Sequence, residues 1–494
     1  MCSGYNEAMF VRGLLYVLAF LSSLVVVAKI RSRRPRQAAL LIASYAFYVT
    51  WGAWIAAVLV TSTLVNFRLG EWLRRKPSPA ALATGIFLNL ALLGTFKYLP
   101  AIAIIVPLAS VQQFASLALP LGISFWTFQA ISYLFDLYRG EELDPSLLEF
   151  ALYMAFFPVT ISGPICRMPE MLPQFRAVEA PGGENVGHGL RRIATGVFMM
   201  TLARLLGQGV LAGDGINSGF DHANRWSGTD VWCLALGYGL QLFFDFAGYS
   251  HIAIGSAQTL GFTLPENFSH PFQSTTPSIF WTRWHMSLSF WIRDYVFLPL
   301  AVLRRETSWR NLALVISMIL FGLWHKASVL FLLWGAYHGL LLVAHRQVQH
   351  LQRKIGWEPP AFAGTAISWI TTIACISLGW ILFRANSVAK AREMLTAIFS
   401  LASYRWHVLS GSLYLLVVAL AAGYAIALLV AEVLDRHSEE TDTTGAKTHA
   451  GVAAVLAHWR WFWIPPLYTV ALLFLLIVTL SRGMDTAQLM YSNF

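Results

Sequence analysis

Charge is scarce in this sequence: Asp, Glu, Lys and Arg together make up 12% of 494 residues, about half of what a soluble domain carries. Hydrophobic residues make up 57% and mean hydropathy is +0.58, which excludes an ordinary water-soluble chain. Cysteine is nearly absent. Cys2, Cys166, Cys233 and Cys375 are widely spaced and form no CxxC pair, so neither a disulfide framework nor a cysteine zinc site is indicated. Acidic residues are fewer than basic ones, 25 against 35. The basic residues fall in short clusters between apolar runs, which reads as cytoplasmic loops and not as a nucleic-acid surface. No internal repeat is visible, which argues against a transporter built from inverted halves.

What remains is a series of apolar runs. They predict an all-α, polytopic membrane protein with about eleven or twelve membrane-crossing or re-entrant segments. The first, Phe10 to Ile30, meets Arg31, Arg33, Arg34 and Arg36 without a small-residue cleavage pattern. It reads as a retained span with the N-terminus outside. Further basic clusters at Arg74 to Lys76 and His345 to Lys354 belong on the same, cytoplasmic side. Other runs include Ala101 to Val111, Phe114 to Tyr138 and Trp461 to Leu480. Leu147 to Ile161 leads into Ser162-Gly163-Pro164, a break within the membrane. Arg167 to His188 reads as a loop, and 435–448 as a flexible polar loop. The whole, 1–494, reads as a single membrane-embedded domain. Nineteen Trp and 17 Tyr suit the many interfaces this requires.

Phe321 to Arg346, FGLWHKASVLFLLWGAYHGLLLVAHR, places histidines inside an apolar segment. Ser328 can cap a helix running to His345 and Arg346. His338 then lies ~15 Å from the cap, near the middle of a hydrocarbon core ~30 Å thick. An ionisable group at that depth marks a functional site, or is a buried histidine bonded to a neighbouring helix. His325 is read at the turn before Ser328, at the membrane edge. No carboxylate lies near either histidine in sequence to complete a metal site.

Two other polar clusters interrupt the apolar pattern. Gln241, Asp245 and His251 lie in QLFFDFAGYSHIAIG, as a site or as polar contacts that fix helix packing. Arg283, Trp284, His285, Arg293 and Asp294 lie in WTRWHMSLSFWIRDYVFLPL, within a Pro265 to Asp294 region too irregular to face lipid. One reading of that cluster is an interfacial amphipathic helix with snorkelling arginines. The other is a site for a phosphorylated, ring-bearing cofactor, bound through charge-assisted bonds and stacking.

The blocks SFWTFQAISYLFDLYRG, FFPVTISGPICR, FFDFAGYSHIAIGSAQTLGF, ENFSHPF, FWTRWHMSLSFWIRDYVFLPL and GLWHKASVLFLLWGAYHG resemble, in order and spacing, the membrane-bound O-acyltransferase family. The resemblance covers residues 121–341 and is nearest to the bacterial alginate and peptidoglycan O-acetyltransferase branch. It implies a ring of helices around a tunnel, in a bacterial inner membrane. It also implies movement of an acetyl group from cytoplasmic acetyl-CoA to an acceptor outside, for O-acetylation of alginate, cellulose or peptidoglycan. An extracytoplasmic partner of the SGNH esterase-like kind would complete delivery. The family's invariant histidine matches His338, and its second active-site position matches His285. His325 joins them as a third histidine, with Arg283, Trp284 and Arg293 toward the cofactor and no metal expected. Two positions depart from the branch: His251 stands where relatives carry Asp, and Trp324-His325-Lys326 where they carry Trp-His-Gly. Two rival readings remain: D-alanyl-type transfer from an acyl carrier protein to an envelope polymer, and a proton-coupled transporter with relaying histidines.

Overall fold

The computed structural model describes residues 2–98, 120–177, 181–210, 214–222, 225–356 and 361–444. Every regular element among them is helical, as an apolar chain that must satisfy its own backbone in lipid requires. The chain packs as two compact units. Among the described residues the first holds 2–196 and 249–383, the second 197–248 and 384–444.

The first unit opens with α1 (Cys2–Lys29), α2 (Arg33–Val49), α3 (Ala53–Arg75) and α4 (Pro79–Lys97). The chain breaks at Trp51-Gly52 between α2 and α3, with Gly52 at φ 139°. Ser78 caps α4 by accepting from the Ala81 N–H, with Pro79 in the first turn where its missing N–H costs nothing. Then come α5 (Ile123–Tyr138), α6 (Leu147–Ala155) and the single turn α7 (Phe157–Thr160). The helix already breaks at Phe156, inside the run expected to continue to Ile161, and Ser44 of α2 takes up the freed Phe157 N–H at 3.2 Å.

One stretch differs from its reading as a loop. Residues Met168–Arg176 form a nine-residue helix, α8, with Pro169 in its first turn. Glu149, buried in α6, explains the order: it accepts from Arg33 of α2, from Arg176 of α8 at 3.1 Å and from Ser146 in its own capping box. Proline density alone therefore misleads here, because a buried carboxylate fixes the C-terminal end of the segment through Arg176.

α9 (Gly183–Gln208) and α11 (Gly228–Thr259) each belong partly to one unit and partly to the other, with α10 (Ile216–His222) between them. The first unit continues through α12 (Pro277–Arg283), α13 (Met286–Ile292), a π-helical turn at Arg293–Phe297 and α14 (Leu298–Ala301). It ends with α15 (Thr307–His325), α16 (Val329–Ile355) and α17 (Ala361–Arg384). In the second unit α18 (Val388–Phe399) and α19 (Gly411–Thr444) follow. There the Asp230 carboxylate accepts from the Val408 and Leu409 N–H groups and from the Tyr414 hydroxyl, fixing the start of α19.

Seven described helices are long and apolar enough to cross a membrane: α3, α4, α11, α15, α16, α17 and α19. The expected runs at 101–111 and 461–480 lie outside the described residues. So does 445–448 of the polar stretch expected to be a flexible loop; its first part, 435–444, continues α19 as helix.

Candidate active site

The sequence of α15 and α16 makes them a close antiparallel pair. Gly335 and Gly339, one turn apart on α16, face α15 directly: a Cβ on Gly335 would lie 2.3 Å from the Met318 carbonyl oxygen, and one on Gly339 2.8 Å from Val315 Cα. Gly322 on α15 is as tight against the Phe331 carbonyl. Small residues at these points let two backbones approach as side-chain-bearing helices cannot. Ser328 caps α16 as expected, accepting from the Phe331 N–H.

His338 lies within this glycine pair and is buried. Its ring meets Trp334 at 4.9 Å, Trp281 at 5.2 Å and Tyr337 at 5.3 Å between centroids. On another side α17 comes so close that a Cβ on Gly379 would sit 2.3 Å from His338 Nε2. The buried His338 Nδ1 has no hydrogen-bond partner among the described residues. An interhelical hydrogen bond from Nδ1, the structural explanation for such a histidine, is therefore missing.

His325, read from the sequence as a turn residue, stands one residue before the turn. It is the last residue of α15, buried, and packed against Trp324 at 4.6 Å, Phe383 at 5.1 Å and Trp334 at 5.6 Å. Trp334 thus joins His325 and His338 in one ring cluster, although thirteen residues separate them. His285 lies within electrostatic range of His325.

His285 is held in a left-handed backbone conformation, φ 43° and ψ 53°, between α12 and α13. Histidine tolerates this region better than most side chains, but a non-glycine residue there needs support. Support comes from ENFSHPF. The Met286 N–H donates to the Asn267 carbonyl at 2.8 Å and the Ser269 N–H to the Arg283 carbonyl at 3.0 Å. The Ser287 hydroxyl donates to Asn267 Oδ1 at 2.6 Å, and Asn267 Nδ2 donates to Ser250 at 3.0 Å. The region Pro265 to Asp294 is therefore packed within protein, as its composition demands.

A cavity of about 220 Å³ opens beside this cluster. Trp281 and Phe321 form its inner wall, Thr282 and Ser289 contribute hydroxyls, and Arg293 and Arg346 stand at its charged end. Trp281 thus separates the cavity from His338. Arg293 is not a bare cation: its Nε pairs with Asp294 at 2.7 Å, while Asp294 also pairs with Arg167 at 2.8 Å. Tyr295 of the same π-helical turn donates to Asp136 at 2.7 Å. Such turns recur at functional sites because they re-aim side chains.

Two residues expected near a cofactor do not line this cavity. Trp284 is enclosed by Phe280 at 5.3 Å, Phe268 at 5.2 Å and Trp380 at 6.0 Å, and neither it nor Arg283 lines the cavity. Gln241 and Asp245 are buried in the second unit, whereas His251 belongs to the first. Trp281, Trp334 and Gly379 escaped the sequence reading, and Arg346 entered it only as the mark of a helix end. The first two stand four residues before His285 and His338 respectively, a spacing that puts a tryptophan one helical turn from each histidine and could have signalled them. No group of three metal-ligating side chains occurs among the described residues.

Comparison with known proteins gives this arrangement its context. The sequence signature of MBOAT, the membrane-bound O-acyltransferase family, matches residues 110–385, a span that contains every histidine discussed above. The chain is 34% identical over 410 residues to a probable alginate O-acetylase AlgI of Pseudomonas putida, covering 79% of this chain and 80% of that one. It is 31% identical over 433 residues to a peptidoglycan O-acetyltransferase of Helicobacter pylori, covering 80% of each. A teichoic acid D-alanyltransferase of Bacillus subtilis matches at 29% over 273 residues, 53% of this chain and 68% of that one. With more than half its length under the family signature and its buried histidines within that span, the chain belongs to the membrane-bound O-acyltransferase family.

Proposed function

We propose that this O-acyltransferase takes an acetyl group from acetyl-CoA on the cytoplasmic side and passes it through the membrane to a hydroxyl on the outer side, for O-acetylation of an exported or envelope polysaccharide. The observation that carries this reading is His338: an imidazole buried mid-helix, its Nδ1 unpartnered among the described residues, one tryptophan away from a cavity that has arginines at its far end. The names of the relatives, an alginate O-acetylase and a peptidoglycan O-acetyltransferase, support acetyl as the group and a glycan as the final acceptor. The chain sits in a bacterial inner membrane with its N-terminus outside, and an extracytoplasmic esterase-like partner completes delivery.

The chemistry runs as follows. His338 takes the proton of the acceptor hydroxyl as that oxygen attacks the thioester carbonyl carbon. The C–S bond breaks, the acetyl group stays on the acceptor oxygen, and the coenzyme thiolate leaves with the proton that His338 held. His285 polarises the carbonyl while its oxygen carries negative charge. His325 packs against Trp334 and keeps that wall of the site in place. Arg293 and Arg346 meet the cofactor phosphates at the cavity mouth, with Arg283 as a further cation on the approach. Ser289 and Thr282 offer hydroxyls to the amide-rich pantetheine arm.

The test is release of coenzyme A thiol and transfer of labelled acetyl by purified protein. Wild type should do both, whereas His338→Ala should insert, melt normally and bind acetyl-CoA, yet lose transfer by ~10²–10⁴-fold. Near-normal transfer by that variant would remove the centre of this reading. The D-alanyl transferase relative supports one alternative, an acyl carrier protein as donor. Turnover with acetyl-CoA alone would exclude it, and proton flux without acyl turnover would point to a transporter.

A further inference from the structure

Arg293 opens the π-helical turn that follows α13, and that turn is tied both to α5 and to Arg167 at the start of α8. The Leu298 N–H bonds the Arg293 carbonyl, five residues back. Pro299 has no N–H to give the Tyr295 carbonyl, so the wider turn gives up nothing there. Three successive side chains then meet three different partners. Arg293 lines the cavity. The Asp294 carboxylate accepts from Arg293 Nε at 2.7 Å and from Arg167 at 2.8 Å. The Tyr295 hydroxyl donates to the buried Asp136 of α5 at 2.7 Å. Arg139, at the end of α5, donates to the Asp294 carbonyl at 2.8 Å. The guanidiniums of Arg139 and Arg167 lie 5.5 Å and 5.1 Å from the centre of the Tyr295 ring.

Those contacts decide which part of Arg293 is offered to a ligand. Asp294 takes Nε, which leaves the two terminal nitrogens as a fork of the kind that grips phosphate. The Phe290 ring lies 4.8 Å from the same guanidinium, and Phe290 also lines the cavity. One carboxylate and one ring thus hold a side chain that is otherwise rich in rotamers. Arg346 lies 5.8 Å from the ring of Phe297, another residue of the cavity wall, at the far end of the π-helical turn. A carboxylate beside an anion site works against it by charge, because Asp294 repels the phosphates that Arg293 attracts. That charge is matched by two arginines. What Asp294 adds is geometry: an arginine already held loses less freedom when its ligand binds.

We propose that Asp294 is a positioning residue for the acyl donor: tied to Arg167, it holds Arg293 by Nε so that the guanidinium fork faces the cavity before the donor's phosphates arrive. This rests on the acyl-transfer reading and deepens it. The test measures binding of coenzyme A, and of pantetheine, which lacks the phosphates, to the purified full chain in bilayer discs of uncharged lipid. Wild type should bind coenzyme A more tightly than pantetheine. For Asp294→Asn, charge and position predict opposite signs: removing a negative charge strengthens phosphate binding, whereas releasing Arg293 weakens it. The expected result is a coenzyme A affinity lower by roughly threefold to tenfold, with pantetheine affinity unchanged. Adding Asp294→Asn to Arg293→Gln should then cause no further loss, since no arginine remains to be positioned. Arg167→Gln breaks the same ion pair with Asp294 and should lower the melting temperature by a similar amount, yet keep more of the affinity, because Asp294 still holds Nε. Unchanged or tighter coenzyme A binding by Asp294→Asn overturns the proposal. So does an equal loss of pantetheine affinity, which would make Asp294 a residue that only supports the fold, and so does an undiminished effect in the Arg293→Gln background. Equal wild-type affinity for coenzyme A and pantetheine overturns it as well. If the binding results hold while the protein neither releases thiol from acetyl-CoA nor transfers acetyl, the acyl-transfer reading falls and the coenzyme site positioned by Asp294 stands.

Discussion

His285 combines two demands at one position, a buried imidazole and a left-handed backbone. The two can be separated. Asparagine accepts φ 43° at little cost, whereas alanine meets a penalty of roughly 1–2 kcal/mol. His285→Asn should therefore melt close to wild type, and His285→Ala should lose about that much stability, with transfer reduced in both because the imidazole is gone. Equal melting of the two would mean that the Asn267 network, and not the side chain's own tolerance, carries the conformation. At this scale the sequence was partly legible. His338 stood out because a histidine in an apolar run is costly. Its surroundings did not, since Trp281, Trp334 and Gly379 look like ordinary apolar or small residues until three helices place them around one ring.

The α15–α16 pair is the element that makes the site, and glycine spacing makes the pair. Gly335 has the Met318 carbonyl where its side chain would be. Gly335→Val should push the helices apart and cost about 1–3 kcal/mol by overpacking. It should also move Trp334 and His338, so transfer should fall more than donor affinity. Thermal melts beside acetyl transfer would show this, and a protein of normal stability and rate would show that the close approach is dispensable. Helices α3, α4, α15 and α16 follow their apolar runs because length and hydropathy suffice for a span. The helix Met168–Arg176 did not, because its order comes from Glu149, which lies outside the segment.

For the molecule as a whole, basic residues after α1, α3 and along the end of α16 predict one cytoplasmic face. Ser32 and Arg353 are exposed. Cysteines placed there should resist a membrane-impermeant maleimide added to intact cells and react after permeabilisation. Labelling of both from outside would invert the topology and with it the side from which acetyl-CoA enters. Orientation of this kind follows from charge and needs no knowledge of tertiary contacts.

By itself the sequence determined the solvent of this protein and its helical class. Those follow from composition, run length and a rise of ~1.5 Å per residue, all of them local quantities. It also determined the family, because ordered motif blocks survive where isolated residues are ambiguous. Only the tertiary structure decided that His325 shares a ring cluster with His338, and that Arg293 lines the cavity while Arg283 and Trp284 do not. Each of these depends on which helices approach one another closely. That is set by glycines, a buried carboxylate and a strained histidine acting across long stretches of chain, and no period along the sequence records it.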